Sequence, residues 1–407
     1  MNCPCCPGNS MPQALADLKI LDLSRVLAMP YCSMMLGDLG AEIIRVERPE
    51  VGDETRHWGP PWAGELSAYY LLTNRNKKCI TVDLKKKEGQ EIIRRLAQRS
   101  DILLENFLPG DLAKMNLGYE DVRAINPQII YASVTGYGQT GPYRDLPGFD
   151  FILQAQGGLM SIIGEEDGPP MKVGVAIVDI TAGLFACSAI LAALHYREKT
   201  GEGQYIDMAL LDAQVAWLAN QASNYLVSGK VPRRMGNAHP NIVPYETFNA
   251  KDGIYLALGV GNDNQWKKFC KIARVEHLMD DPQYATNPKR VENRKKLVPL
   301  LQEVFLQKES GEWLKLLGEA EIPIGPINTI DRVFADPQVL ARQMLVEMGH
   351  PKIGKFKLVG SPMKLSKTPV QYRIPPPLLG EHTESVLHEV LGYDKEKIAR
   401  LKEGKVI

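Results

Sequence analysis

The 407-residue chain has no excess charge of either sign, no long uninterrupted apolar run and no cysteine framework, and each absence removes a class of function. Its 48 basic residues balance 48 acidic ones. Nothing in the net charge therefore draws it to nucleic acid or to a membrane surface, and an anionic ligand has to be met by local clusters. No uninterrupted apolar segment reaches the roughly 18 residues that cross a bilayer. Seven cysteines in a chain of this length do not make a disulfide scaffold. Cys32, Cys79, Cys187 and Cys270 lie among apolar neighbours and read as small core residues in a reducing compartment. Cys3, Cys5 and Cys6 are crowded, but no further ligand pair at finger-like spacing accompanies them, so no metal is expected. The start lacks the apolar core of a signal peptide and the Arg-rich, acid-poor character of a transit peptide. The expected location is the cytoplasm, or the mitochondrial matrix in a eukaryote. No Gly-x-Gly-x-x-Gly follows the first strand, so a dinucleotide is not the default ligand. There is no internal repeat.

What is present is a soluble-type composition, 44% hydrophobic and 24% charged, in a chain longer than one typical domain. Leu18–Ser24, a helical pattern over Pro30–Leu39 and a strand over Ala41–Val46 form a βαβ opening. Further strands are read at Ile80–Leu84, Asp101–Asn106, Ile129–Thr135 and Tyr205–Ala209, with a helix over Glu88–Gln98 and a long amphipathic helix over Leu210–Val227. Glu47 to Ser67 reads as one long loop rich in Gly, Pro and Trp, the kind that is usually functional or disordered. The basic turn Asn74–Lys78 either holds phosphates or is a solvated loop. Near Ser228 the character becomes basic and turn-rich, and helical patterns dominate to about Gly318. The expected fold is α/β. A large Rossmann-like domain comes from residues 1–227 and 326–407, with a smaller α+β domain at 228–325. The strands after Val333 are expected to join the sheet of the N-terminal half.

Asp179 is the candidate for chemistry. It ends the apolar, β-branched run Val173–Val178, read as a buried strand, and precedes an Ala-rich core helix over Ala182–His195. A carboxylate there is held by packed structure near the positive end of a helix, which suits a nucleophile. The same position also suits a simple helix cap. His239 is either a substrate ligand or an ordinary loop histidine. His382, in Gly380-Glu-His-Thr383, reads as structural.

Taken together, these stretches resemble the class III CoA-transferase family. The carrying segments are Asp22-Leu-Ser-Arg-Val26 with Ala28 and Pro30, Leu36-Gly-Asp-Leu-Gly-Ala41, Val46-Glu-Arg48, Asn76-Lys-Lys78, Glu105-Asn-Phe107, Lys199-Thr-Gly201 and Leu378-Leu-Gly-Glu-His-Thr383. Gly52-Asp-Glu-Thr-Arg56, Trp58-Gly-Pro-Pro61, Gly136-Tyr-Gly-Gln-Thr-Gly141 and Ile242-Val-Pro-Tyr245 are similar to the succinyl-CoA-dependent branch. The resemblance implies acylation of Asp179, an aspartyl-CoA thioester, and transfer of CoA to a dicarboxylic acceptor such as glutarate or a substituted succinate. It implies no cofactor, the CoA thioester being a substrate. It places CoA against Arg25, Val26, Ala28, Arg48, Lys85, Asn106, Phe107, Lys114 and Met115, and makes Arg75, Arg25 and His239 candidates for a second carboxylate. It also implies an interlocked homodimer, or pairing with a paralogous subunit. The racemases that share the fold resemble Gly148-Phe-Asp150 but carry His where Phe149 stands, and Phe transfers no proton. The remaining alternative is a non-catalytic subunit of a heteromeric transferase.

Overall fold

The computed structural model describes residues 13–407, so the cluster of Cys3, Cys5 and Cys6 lies outside the described residues. Two compact units make up the chain. The first runs up to Gly157, from Gly174 to Trp217 and from Gln338 onward; the second comprises Gly158–Val173 and Leu218–Pro337.

In the first unit β1 (Lys19–Asp22) leads into α1 (Ala28–Asp38) and β2 (Glu42–Glu47). The stretch expected to be one long loop holds a one-turn 3-10 helix (Glu54–His57), a hairpin of β3 (Trp62–Ala63) and β4 (Leu66–Ser67), and α2 (Ala68–Thr73). Next come β5 (Lys77–Thr81), α3 (Lys87–Ala97), β6 (Ile102–Glu105), α4 (Tyr119–Arg123), β7 (Ile130–Thr135) and α5 (Asp150–Gln156). After α6 (Ile177–Thr200), β8 (Gln204–Ala209) and α7 (Leu210–Ala216) complete this part. The sheet is parallel throughout, in the order β5-β2-β1-β6-β7-β8. Its strand order therefore reverses between β1 and β6. Open α/β sheets bind ligands at such a switch point, outside the carboxyl ends of the strands.

The strand expected over Val173–Val178 is absent. Gly174 interrupts the valine run, Val173–Ala176 has no regular structure, and α6 already begins at Ile177. That helix of 24 residues is long and apolar enough, by length and composition, to cross a bilayer. About half of the apolar stretch is buried within the protein, and Val178, Ala182, Ala186 and Ile190 pack with α1 and the sheet. The helix expected over Leu210–Val227 is two, α7 and α8 (Ala219–Ser228), because the chain breaks at Trp217 and Leu218 and Ala219 takes φ +41°.

The second unit carries a three-stranded antiparallel sheet of β9 (Tyr245–Asn249), β10 (Tyr255–Gly259) and β11 (Ile324–Pro326). Between β10 and β11 run α9 (Asp263–Ala273), α10 (Glu276–Met279), α11 (Asn287–Glu292), α12 (Arg294–Phe305) and α13 (Ser310–Glu319). Their core is aromatic, with Phe248, Trp266, Phe269, Phe305 and Trp313 all buried.

After α14 (Ile330–Ala335) and α15 (Pro337–Ala341), β12 (Leu345–His350) and β13 (Gly354–Val359) pair with each other alone, not with the large sheet as expected. The β5 edge is already taken. His382 N donates to Cys79 O (2.9 Å), Cys79 N to His382 Nδ1 (3.2 Å) and Thr81 N to Thr383 Oγ1 (3.0 Å). His382 is thus structural, as read, and its turn covers an edge that would otherwise stay open to pairing. The chain ends in α16 (Thr383–Leu391) and α17 (Lys395–Glu403), which cover one sheet face together with α3; α1, α6 and α7 cover the other.

Under the carboxyl ends of β1 and β2 lies a buried ionic network. Arg45 meets Glu47 (3.1 Å), Asp53 (2.5 Å) and Asp22 (3.8 Å); Arg56 meets Glu47 (2.7 Å); Lys77 lies 3.6 Å from Asp22. Burial pushes the Lys77 amine down to about 7. Removing one member leaves its partners charged and unpaired in low dielectric, which is the costly case. Arg45→Met is expected to destabilise the fold by about 3 kcal/mol or more, measured by denaturant unfolding. A loss below about 1 kcal/mol would contradict a network that braces the site.

Candidate active site

The loops after β1 and β6 are tied across the switch point by one side chain. Asn106 accepts from Arg25 N (2.9 Å) and donates to Arg25 O (2.8 Å). Next to it Val26 stands at φ +66°, a region costly for a β-branched residue, and its N–H is held by Asp53 Oδ2 at 3.0 Å. Arg45 anchors Asp53 in turn. The buried network thus holds the strained turn that points Arg25, Val26 and Leu27 toward one cavity.

That cavity, of about 310 Å³, is lined by Arg25, Val26, Leu27, Ala28, Glu54, Trp58, Asn106, Phe107, Thr135, Gly136, Gly148, Phe149 and Asp179, among others. Three glycines allow its shape. A Cβ on Gly136 would lie 2.6 Å from Gly148 Cα, so the two backbones touch, and a Cβ on Gly183 would lie 2.5 Å from Ala28 O. Gly183 follows Asp179 by one turn of α6, so this contact brings the Asp179 end of the helix to the start of α1.

Asp179 is the third residue of α6 but not its cap. Asp150, at the start of α5, accepts from Val178 N (2.7 Å) and Asp179 N (3.4 Å) through Oδ2. The Asp179 carboxyl makes no hydrogen bond among the described residues and opens into the cavity. Burial first, and the Asp150 charge second, push its pKa up to about 7. Tyr69 stacks edge-on against Trp58 at 5.0 Å. Its hydroxyl is pushed up to about 12 by burial and then by the charges of Asp179 and Asp150.

A second recess of about 200 Å³ shares Arg25 and Phe107 with the first and is also lined by Arg48, Lys85 and Met115. Eight of the residues expected from sequence for CoA, together with Asp179, therefore line two adjoining hollows. Three others are not among the residues that line them. Lys114 is exposed and paired with Asp111 at 2.8 Å. Arg75 is buried and bound through two nitrogens to Asp38 (2.9 and 2.7 Å), so its guanidinium is not available to a substrate carboxylate as expected. Of the turn Asn74–Lys78, residues 74–77 are buried and Lys78 pairs with Glu42 at 2.7 Å, so it is neither an open phosphate loop nor a solvated one. His239 belongs to the second unit, where its Nδ1 accepts from Asn241 N at 3.1 Å. The capping role of Asp150 had no signal in the sequence pattern, because it depends on a partner distant along the chain, and the pairing of Glu54 with Arg25 was hidden in the same way.

The sequence profile of CoA-transferase family III matches residues 15–383. The chain belongs to CoA-transferase family III. Among curated relatives of this CoA-transferase, the human succinyl-CoA:glutarate CoA-transferase is 48% identical, over 97% of this chain and 90% of its own. The succinate–glutarate CoA-transferase of Agrobacterium fabrum is 47% identical, over 92% and 95%. A CAIB/BAIF family protein from Brucella suis, solved by crystallography, superposes with a TM-score of 0.82 at 44% identity, over 93% of this chain and 99% of that one. The protein is therefore a transferase enzyme with an α/β fold built on a large parallel sheet.

Two outcomes follow from the Asp150–Asp179 pair. Asp179 holds its proton more tightly folded than unfolded, between its ordinary value of 3.8 and about 7. Stability contributed at this site therefore falls as pH rises through that window. Asp179→Asn removes the fall: it is expected to match wild type at pH 4 and to exceed it by about 1–2 kcal/mol at pH 8, the cavity mouth screening part of the full shift. Equal stabilities at pH 8 would contradict the raised pKa. Asp150→Asn keeps a capping oxygen but loses the charge, so the acid limb of the kcat/KM profile, expected near pH 7, moves to lower pH. A limb that stays in place would show that the two carboxyls are not coupled.

Proposed function

We propose that this CoA-transferase moves CoA from succinyl-CoA to a dicarboxylic acid such as glutarate or a substituted succinate, with Asp179 as the covalent nucleophile. The supporting observation is the Asp179 carboxylate itself: uncapped, facing a cavity at the sheet switch point, and more basic than an ordinary carboxylate. An Asp179 oxygen attacks the thioester carbonyl, the C–S bond breaks, and CoA leaves as thiolate with a mixed anhydride formed. The thiolate then attacks the aspartyl carbonyl of the anhydride, releasing succinate and leaving an aspartyl-CoA thioester. The acceptor carboxylate attacks that thioester, CoA leaves again as thiolate, and its attack on the acceptor acyl carbon gives the new acyl-CoA and restores Asp179. Bonds and charges balance without a proton, a metal or a resident cofactor.

Each intermediate is lost if water reaches it, so packing around the carboxyl serves chemistry as well as basicity. Trp58, Phe149 and Leu27 supply apolar walls. Arg48 and Lys85 meet the CoA phosphates, with Phe107 and Met115 beside the adenine. Arg25, on the wall shared by both hollows, is the cation offered to the acceptor's distal carboxylate. The racemase reading loses further ground here: Phe149 carries no titratable group, and Asp150 is engaged with the amides of α6.

We also propose self-association into a dimer. The outer face of α6 leaves Leu184, Phe185 and Leu191 exposed, apolar surface that a partner copy would cover. The four described cysteines are free and buried, in keeping with a reducing compartment such as the cytoplasm or the mitochondrial matrix.

The test is exchange between succinyl-CoA and a panel of acids, followed by mass spectrometry of the acyl-CoA formed. Dicarboxylates are expected to react about 10-fold or more faster in kcat/KM than monocarboxylates of equal length, because the acceptor that lacks the second charge forgoes the ion pair with Arg25. Equal rates would contradict the dicarboxylate assignment, and no exchange with any acid would favour a non-catalytic subunit.

A further inference from the structure

Glu54 lines the first hollow and reaches Arg48 of the second, and the transferase chemistry proposed above gives it no role. Its carboxylate Oε1 lies 3.4 Å from Arg25 Nη1 and 3.7 Å from Arg48 Nη2. The backbone beneath it is clamped. Asp53 caps the 3-10 helix by accepting from Thr55 N, and Asp53, Thr55 and Arg56 are all buried. The cap therefore does not use Glu54, whose side chain is aimed from a rigid turn at two cations.

The arrangement is incomplete as a salt bridge. The three side chains are 39%, 38% and 54% exposed, and pairs of this kind add little to stability. Yet Arg25 Nε and Glu54 Oε2 are both buried with no hydrogen-bond partner, an unfavourable state for a guanidinium and a carboxylate. Arg25 also lies over the Phe107 ring, with Cζ 4.9 Å from the ring centre. A guanidinium placed over a ring, with its Nε unpaired, is prepared for an oxyanion that engages two of its nitrogens at once.

We propose that Glu54 is an internal counter-anion: it occupies, on Arg25 and Arg48, the place taken by an oxyanion of the incoming acyl-CoA, and is displaced when the substrate seats. This rests on the CoA-transferase site described above. The oxyanion is either a CoA phosphate or the terminal carboxylate of the acyl group. The physical consequence is the same for both. Glu54 neutralises two cations in the free enzyme and opposes the ligand when it arrives, so the site trades affinity for release.

The test is equilibrium titration of CoA and of succinyl-CoA into Asp179→Asn protein, where turnover does not intervene, with Glu54 as Glu, Gln or Asp. Glu54→Gln is expected to tighten binding about fivefold at low salt, with the gain shrinking at about 0.5 M salt. Glu54→Asp keeps the charge and should stay close to the parent. An equal gain for both ligands assigns the oxyanion to a phosphate, and a gain for succinyl-CoA alone assigns it to the acyl carboxylate. If the Gln variant does not fold, Glu54→Ala reads the same effect. Unchanged or weaker binding of both ligands by the charge-removed variant overturns the proposal while leaving the transferase site intact. Failure of the parent protein to bind CoA would remove the site and this inference together.

Discussion

The hydrogen bond from Val178 N to the Asp150 carboxylate is the interaction on which the site depends. A helix that starts inside a protein must satisfy its first amides, and a carboxylate three residues into α6 would ordinarily be drawn to that task. Asp150 takes it instead, from a different helix. Asp179 is left near the positive end of α6 with no partner of its own, and the negative charge of Asp150 adds to burial in raising its pKa. One interaction therefore gives both the freedom and the basicity that a weak oxygen nucleophile needs.

The rest of the first unit brings Arg25, Asn106 and the other groups that line the cavity to that carboxyl. The reversal of strand order between β1 and β6 leaves a crevice, and the loops that border it carry Arg25 and Asn106. Strain in the Val26 turn is maintained because Asp53 is locked by Arg45, which the sheet buries completely. Glycine contacts at Gly136, Gly148 and Gly183 remove the last ångströms between backbones. A substitution far from the chemistry at any of these points would displace groups whose relative placement sets the rate.

Much of the large sheet was legible in the sequence, because its inner parallel strands are buried on both faces and read as short apolar runs, as in Ile102-Leu-Leu104. The same rule misled at Val173–Val178, where the valines belong to a loop and to the first turn of α6. Periodicity also ran two helices together over Leu210–Val227, since the break at Ala219 is a backbone event without a Gly or Pro to mark it. At the candidate site, Asp179, Arg25, Arg48, Lys85 and Phe107 were read from the resemblance, and the structure places them along two hollows. Arg75 was misplaced because its partner, Asp38, lies 37 residues away on another element. The capping role of Asp150 was hidden for the same reason, 28 residues from Val178. Local pattern records which residues are buried, not which charge meets which.

The central claim is that Asp179 becomes covalently attached to CoA. Incubation of the protein with succinyl-CoA, trapping with hydroxylamine or borohydride, and peptide mass spectrometry tests it most directly. The account predicts modification at Asp179 alone, and none in Asp179→Asn protein shown not to have reverted to Asp. An adduct at another residue, or full turnover by the Asn variant, would contradict it.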